Sequence, residues 1–458
     1  MGLYPYADRF QVTRSFPEKG RPRAEILAEI EVMAEVEDGP YHEGKISGSI
    51  YSGDEAHYAF LNEVFGSYSH ANVLQRDMYP SATRFEGEII AMTADMLHAP
   101  EPFGVLTSGG TESLMNPLLV YREWGRERGI TQPNVVLPIT AHPALDKGAH
   151  YFGIELRKAA VTAQFVADMD SVRSLVDENT VALVGSAGTY PHGLIDPIDE
   201  MAALALERGI NLHVDGCLGG FILAWGQDLG YPVPTFDFRL PGVTSISADT
   251  HKYGFGLKGS SVLLYRTAEL RRLQYFIVPD WPGGLYTSPG MSGSRSGGII
   301  AAAWAAMVTL GREGYLAIAG DIFRTAASLR AVIEAQPELC VLGDPFFNVA
   351  FTTVTAGDSD ESGLDIFLVN DFLASRRWRL NGLQMPPAVH FCITRPNTQP
   401  GVVDRFAVDL AEAVADARQK KGTPAKSGAF YAGGVTREQI ESGMSWWLDA
   451  TQALPPEA

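Results

Sequence analysis

The stretch "FGVLTSGGTES", Phe103 to Ser113, reads as a short apolar strand that runs into two glycines and then into the start of a helix. Strand, tight turn and helix in that order make one half of a βαβ unit. Working outward, "NVVLPITAH", "TVALVGSAG", "NLHVDGCLG" and "SSVLLYR" are further short β-branched runs, and helical stretches such as "SATRFEGEIIAMTADMLHA" and "PIDEMAALALERG" intervene. The alternation predicts an α/β protein with a mostly parallel sheet. Beyond a helix near Leu310 to Glu334, the segments "FNVAFTTV" and "AVHFCITR", with a helix between them, predict a smaller C-terminal α+β domain. "TREQIESGMSWWLDATQAL" then predicts a closing helix. The expected organisation is an N-terminal segment over 1–60, a large domain over 61–315 and a small domain over 316–458.

The 458 residues are 46% hydrophobic and 20% charged, enough apolar material for a large core. A formal charge of −18 argues against nucleic acid or an anionic membrane as the main partner, because phosphates reward clustered Lys and Arg. The three cysteines, Cys217, Cys340 and Cys392, lie far apart with no C-x-x-C spacing, as expected of reduced thiols in a cytoplasmic protein. The N-terminus lacks the apolar core of a signal peptide. The longest apolar run, "GGIIAAAWAAMVTLG" from Gly297 to Gly311, is too short and alanine-rich to span a bilayer. It predicts a buried helix in a protein with no integral membrane anchor.

Four features carry chemistry. Gly109, Gly110 and Thr111 stand where a strand turns into a helix, so backbone N–H groups and the helix dipole there favour an anion. His142, in "TAHPALDKGAHYFG", offers a flat ring that can stack on an aromatic cofactor or shuttle protons. Asp215 ends the apolar run of "NLHVDGCLGGF", where a carboxylate is costly unless paired. It could bind a metal, cap a helix or pair with a protonated heterocycle nitrogen; His213 shares its strand, but no third ligand stands at metal spacing. Gly216, Gly219 and Gly220 leave room for something bulky. In "SADTHKYGFGLKGSSVLLY", Lys252 sits between Thr250, His251 and Gly254, where burial is expected to lower its pKa and make the amine a nucleophile toward carbonyls. Each feature ends a candidate strand, the place where open α/β sheets bind ligands. One molecule needs all four. Pyridoxal 5'-phosphate puts its phosphate on the glycine turn, its ring on His142, its pyridinium nitrogen on Asp215 and its aldehyde on Lys252, with Thr250 and His251 alongside. No metal is expected.

The blocks "TSGGTES", "TAHPALDKGAHYFG", "HVDGCLGGF", "DTHKYGFGLKGSSVLLY" and "GSRSGG" resemble the group II pyridoxal-dependent decarboxylase family, of fold type I. "KISGSIYSG", "PHGLIDPI" and "GLQMPPAVHFCIT" extend the likeness over most of the chain. The resemblance is nearest to the family's carbon–carbon lyases. It implies a homodimer with a shared active site, in which Gly293, Ser294 and Arg295 reach the cofactor phosphate of the neighbouring subunit. It also implies retro-aldol Cα–Cβ cleavage of a phosphorylated long-chain amino alcohol. Tyr51 and Tyr190 match two family tyrosines near the substrate, one with a phenol lowered in pKa by nearby cations and able to take the 3-hydroxyl proton. Lys258 matches a lysine near the substrate phosphate. Asn72 matches a family asparagine, whereas Gln75 stands where the lyases carry a phosphate-binding histidine, with Arg76 beside it. Gly216 replaces an alanine beneath the cofactor ring. The alternative is an amino-acid decarboxylase, or a lyase for a smaller 2-amino-3-hydroxy substrate.

Overall fold

The computed structural model describes residues 4–354, 363–428 and 436–454. Seven strands form the central sheet: β1 (Gly104–Thr107), β2 (Asn134–Pro138), β3 (Glu155–Ala159), β4 (Thr180–Ser186), β5 (Asn211–Asp215), β6 (Ser245–Ala248) and β7 (Ser261–Tyr265). Their order is β1-β7-β6-β5-β4-β2-β3. From β3 across to β6 every pairing is parallel, and β7 runs antiparallel to both β6 and β1. The mostly parallel sheet is thus as expected. The reversal at β7 has a local cause: the chain returns from β6 through one loop, 249–260, without a crossover helix.

Strands β1, β2, β4, β5, β6 and β7 are buried along their whole length, which is why they read as continuous apolar runs rather than alternating ones. Alternation survives in the packing. Val105, Val135, Leu137, Ala182 and Val184 join one core, and Leu106, Val136, Leu183, Leu212 and Val214 the other, on the opposite face of the sheet. Helix Gly110–Arg126 packs against β4, β6 and β7, and helix Ile198–Arg208 against β4 and β5.

A small hairpin, β8 (Phe276–Val278) with β9 (Tyr286–Ser288), precedes helix Gly297–Glu334. That helix is interrupted at Gly311 (φ 56°, ψ 179°), so the two helical expectations on either side of it join end to end. A second, antiparallel sheet follows: β10 (Leu339–Val341), β11 (Asn348–Thr353), β12 (Asn381–Gln384) and β13 (Pro387–Cys392), in the order β10-β11-β13-β12. The helix between β11 and β12 spans Ile366–Ser375, and the closing helix Arg437–Gln452 starts from a reciprocal capping box between Thr436 and Gln439. The N-terminal segment is stitched to the second sheet: Ser47 N–H donates to Arg379 O (3.0 Å), Gly48 N–H to Cys392 O (2.8 Å), and Arg395 N–H to Tyr51 O (3.2 Å).

The glycines after β5 do not leave room, contrary to expectation; they permit close backbone approach. A Cβ on Gly216 would stand 2.7 Å from Ser247 O, and one on Gly219 would stand 2.3 Å from both Ala187 O and Gly188 N. Gly219→Ala is therefore expected to cost roughly 1–3 kcal/mol by overpacking. Gly66→Ala, on helix Glu55–Tyr68 with nothing within 4 Å of its new Cβ, should gain roughly 0.5–1 kcal/mol from helix propensity. Denaturant unfolding of both variants measures the contrast, and equal stabilities would refute the close-packing account.

Candidate active site

The carboxyl ends of β1, β2, β4, β5 and β6 lie along one edge of the sheet, and the expected groups collect there. In register, Ser186 of β4 faces Asp215 of β5, and Asp215 faces Ser247 of β6. Asp215 is buried and accepts from Cys217 N–H at 3.0 Å. His213, two residues earlier, bonds through Nδ1 to Ser245 Oγ (2.7 Å) and through Nε2 to Ser247 Oγ (3.4 Å), so both its nitrogens are engaged. Burial pushes its pKa down to about 4, which keeps the ring neutral.

The β6–β7 loop carries Lys252. Its Nζ stands 3.0 Å from Asp249 Oδ2 as an ion pair, while Asp249 Oδ1 is buried with no hydrogen-bond donor. Burial opposes the charge on Lys252, but the Asp249 carboxylate outweighs it and raises the lysine pKa. The expectation of a lowered pKa is therefore corrected: it counted burial and missed the carboxylate three residues upstream. Gly110 makes room for that carboxylate, because a Cβ there would meet Asp249 Oδ2 at 2.7 Å. Thr250 Oγ1 bonds to Ser260 Oγ (2.5 Å), and His251 Nδ1 donates to Ser260 O (2.6 Å), so both residues pin the loop to its own far end.

His142 Nδ1 accepts from Ala144 N–H (3.1 Å), which assigns its ring proton to Nε2. Burial lowers its pKa, and the charges of Asp215, Lys252 and Asp249 all act on it, as they must if the four groups share one site. Gly109, at φ 144°, opens helix Gly110–Arg126, whose first N–H groups have no helical acceptor. Thr111 is exposed. The hydroxyl that ties the turn is Thr107, bonded to Ser113 Oγ (2.7 Å), which in turn bonds Ser261 Oγ (2.8 Å). Glu112 takes up Ser108 N–H (2.8 Å) and Met291 N–H (3.1 Å), so an anion at this turn has Gly110 and Thr111 to address rather than Ser108.

Tyr51, Tyr190, Lys252 and Lys258 line one cavity of about 240 Å³, together with Ser47, Asn348, Asn381, His390 and Cys392. Lys258 Nζ lies 4.7 Å from the centre of the Tyr51 ring and donates to His251 O at 3.3 Å. Although Lys258 is exposed at the cavity mouth, the protein around its ammonium and the nearby Lys252 charge push its pKa down to about 8. Burial raises the Tyr51 phenol, and the Lys252 charge pulling the other way does not offset it. Of the two tyrosines, Tyr51 is therefore not the one with a lowered phenol. Larger cavities open elsewhere, one of about 450 Å³ between helix Pro80–Met96 and the hairpin, but none of the four cofactor-directed groups lines it.

Asn72, Gln75, Gly293 and Ser294 do not line the Lys252 cavity. Asn72 Nδ2 donates to Ser294 Oγ (3.0 Å), and Ser294 shares a second cavity of about 180 Å³ with Ser108 and Ser260. Gln75 is exposed. Arg76 pairs with Glu86 at 3.1 Å, as does Arg295 at 2.5 Å, so Arg76 is committed to that carboxylate. Asp249, Asn348 and His390 were missed. Asp249 carried a readable signal, an acid ending the apolar run "SISAD", whereas the other two come from the distant second sheet and carried none.

The donor set fits pyridoxal 5'-phosphate: a primary amine at Lys252, a buried carboxylate at Asp215, the His142 ring, and a glycine turn at a helix N-terminus. The pyridoxal-dependent decarboxylase conserved domain matches residues 9–354. Sphingosine-1-phosphate lyase 1 of Rattus norvegicus is 38% identical over 449 residues, covering 97% of this chain and 78% of that protein. The sphingosine-1-phosphate lyase of Oryza sativa subsp. japonica is 42% identical over 412 residues, covering 88% and 75%. Among solved structures, that of a sphingosine-1-phosphate lyase from Burkholderia pseudomallei superposes with a TM-score of 0.91 at 50% identity, over 99% of this chain and all of that one. A glutamate decarboxylase from Lactobacillus brevis, at 20% identity and a TM-score of 0.76 over 91% of this chain and 99% of that one, shares the fold.

Borohydride treatment of protein incubated with pyridoxal 5'-phosphate should fix the cofactor covalently to the wild type and not to Lys252→Ala, as read by intact mass. A wild type that stays colourless and unlabelled with added cofactor would end the assignment.

Proposed function

The chain belongs to the pyridoxal-dependent decarboxylase family, and from that premise we propose that it is an aldehyde lyase acting on a phosphorylated long-chain amino alcohol. The substrate is sphingosine 1-phosphate or a close relative, and the products are a long-chain aldehyde and phosphoethanolamine. The observation that carries this reading is Lys258. It is a second cation in the Lys252 cavity, set against Tyr51, and it makes no ion pair among the described residues. An ammonium without a protein counter-charge suits a substrate phosphate.

Bound pyridoxal 5'-phosphate supplies an aldehyde for the substrate amine and an electron sink for the pair left when Cα–Cβ breaks. The chain's own groups do the rest. Lys252 provides the covalent anchor, and its ammonium form, held by Asp249, is a proton donor within the cavity. Asp215 would set a buried negative charge at the ring nitrogen, and neutral His142, with its proton on Nε2, would stack on the ring. Tyr51 Oη, kept protonated by burial, acts as a hydrogen-bond donor beside Lys258. Tyr190 Oη, on the more open side of the cavity, where the residue is 49% exposed and its ring stands edge-on to His142, passes its own proton to water and takes that of the 3-hydroxyl.

The working form is a homodimer in which Asn72, Gln75 and Ser294 of one protomer complete the site of the other. Two observations support it: these residues do not line the Lys252 cavity of their own chain, and the β8–β9 hairpin exposes Phe276, Ile277, Trp281 and Leu285. No helix among the described residues is long and apolar enough to cross a membrane. The free, buried thiols of Cys217 and Cys392 support a cytoplasmic setting.

An assay that scores aldehyde and carbon dioxide together tests the reaction: aldehyde from sphingosine 1-phosphate is expected, and carbon dioxide from an amino acid would establish a decarboxylase instead. The phosphate contact has its own signature. Lys258 is charged below its pKa of about 8, so kcat/KM should hold there and fall as pH rises through that value. Lys258→Ala should raise KM roughly 10- to 100-fold, the worth of a hydrogen bond to a charged group, and flatten that limb. A pH profile unchanged by the substitution would remove Lys258 from the phosphate site.

A further inference from the structure

Tyr190 belongs to the loop Thr189–Leu194, which closes on itself. Thr189 N–H donates to Leu194 O (2.7 Å), Gly193 N–H to Thr189 O (2.8 Å), and Leu194 N–H to Thr189 Oγ1 (3.2 Å). Two successive carbonyls are left over, those of Tyr190 and Pro191, and each is taken by a side chain from the second sheet. Asn348 Nδ2, at the start of β11, donates to Tyr190 O at 2.8 Å. His390 Nδ1, on β13, bonds to Pro191 O at 3.0 Å. A carbonyl only accepts, so the His390 proton lies on Nδ1 and Nε2 is free to accept from Asn381 Nδ2 at 3.0 Å. Asn381 Nδ2 also reaches Ser47 Oγ (3.0 Å), which takes Cys392 N–H at 2.9 Å.

The contact is close as well as polar. A Cβ on Gly193 would stand 2.6 Å from Asn348 O, and the Tyr190 ring meets the His390 ring edge-on with centroids 4.9 Å apart. Asn348 and His390 are both fully buried, and both line the Lys252 cavity. Burial pushes the His390 pKa down to about 4, so this ring stays neutral at working pH and carries no proton for the reaction. A buried, neutral, twice-bonded histidine spends its hydrogen bonds on geometry.

We propose that Asn348 and His390 are positioning residues that clamp the Tyr190 and Pro191 carbonyls and so fix the Tyr190 phenol over the Lys252 cavity. The proposal rests on the reading of Tyr190 as a substrate-facing phenol. The second sheet thereby sets the reach of a side chain delivered by the first.

The test is a double-mutant cycle on the cofactor-loaded enzyme, with kcat and KM measured separately. An asparagine amide nitrogen lies near where histidine Nδ1 does, and a glutamine amide nitrogen near Nε2. His390→Asn should therefore keep the bond to Pro191 O and most of the activity. His390→Gln should lose it and lower kcat roughly 10- to 100-fold, as a phenol misplaced by about 1 Å would. KM and cofactor absorbance should stay unchanged in both. In a Tyr190→Phe background His390→Gln should cost nothing further, because the group being positioned is gone. Losses that multiply across the two substitutions, or equal kcat for His390→Asn and His390→Gln, overturn the clamp. If His390→Gln does not fold, Asn348→Ser, which removes only the bond to Tyr190 O, enters the same cycle with the same two readings. A fully active Tyr190→Phe enzyme overturns the reading of Tyr190 and the clamp with it. An impaired Tyr190→Phe with unaffected clamp variants overturns the clamp alone.

Discussion

The ion pair between Lys252 and Asp249 is the constraint from which the rest of the site follows. A carboxylate buried at a sheet edge needs a counter-charge, and Lys252 Nζ at 3.0 Å is the cation beside it. Two features of the chain make the pair possible. The antiparallel return of β7 gives a compact loop in which residues three apart face each other, and Gly110 lets the neighbouring helix start come within contact of the carboxylate. The same loop returns through Lys258, which cannot share Asp249 at ion-pair distance and is left with a depressed pKa at the mouth. The two lysines, six residues apart, therefore shift in opposite directions: Lys252 upward because its acid outweighs burial, and Lys258 downward because burial and the Lys252 charge outweigh the more distant acid.

The site is layered by origin. The groups proposed to face the cofactor, His142, Asp215 and Lys252, stand at or just beyond the ends of parallel strands, where the sheet itself fixes their spacing. The groups proposed to face the substrate come from elsewhere. Tyr51 is delivered by a segment sewn to β13, and Tyr190 by a loop held from β11 and β13. The two layers still touch: Tyr253, next to Lys252, donates to Ile393 O at 2.7 Å, just beyond β13.

This division also sets what could be read from the sequence. The order of strand, turn and helix along "FGVLTSGGTES", "NLHVDGCLGGF" and "SADTHKYGFGLKGSS" follows from local periodicity, so the mostly parallel sheet was legible, and so was the gathering of Asp215, His142 and Lys252 near one edge of it. Asn348 and His390 were not, because their role depends on β11 and β13 meeting a loop more than a hundred residues earlier in the chain, and nothing in their neighbours signals it. The pKa direction at Lys252 failed for a related reason. Burial could be anticipated for this lysine, but the sign depends on whether burial or a neighbouring charge is the larger effect, and that required Asp249 at 3.0 Å. The glycines after β5 were misread because open space and close backbone contact leave the same mark in a sequence.

Decarboxylases at about one-fifth identity share this fold, so the sheet edge alone cannot select which bond at Cα breaks. Selection needs a group that acts on the hydroxyl at Cβ and another that holds the far end of the substrate. In this chain the candidates are Tyr190 and Lys258, on the loop after β4 and the loop after β6, with Tyr51 beside Lys258. On the proposed function, Lys258 would hold one end by charge, and the clamped Tyr190 would set the direction from which the hydroxyl proton is taken. With both ends held, the Cα–Cβ bond would be the one presented for cleavage. Bond choice would then depend on how the second sheet grips the first, rather than on the sheet edge alone.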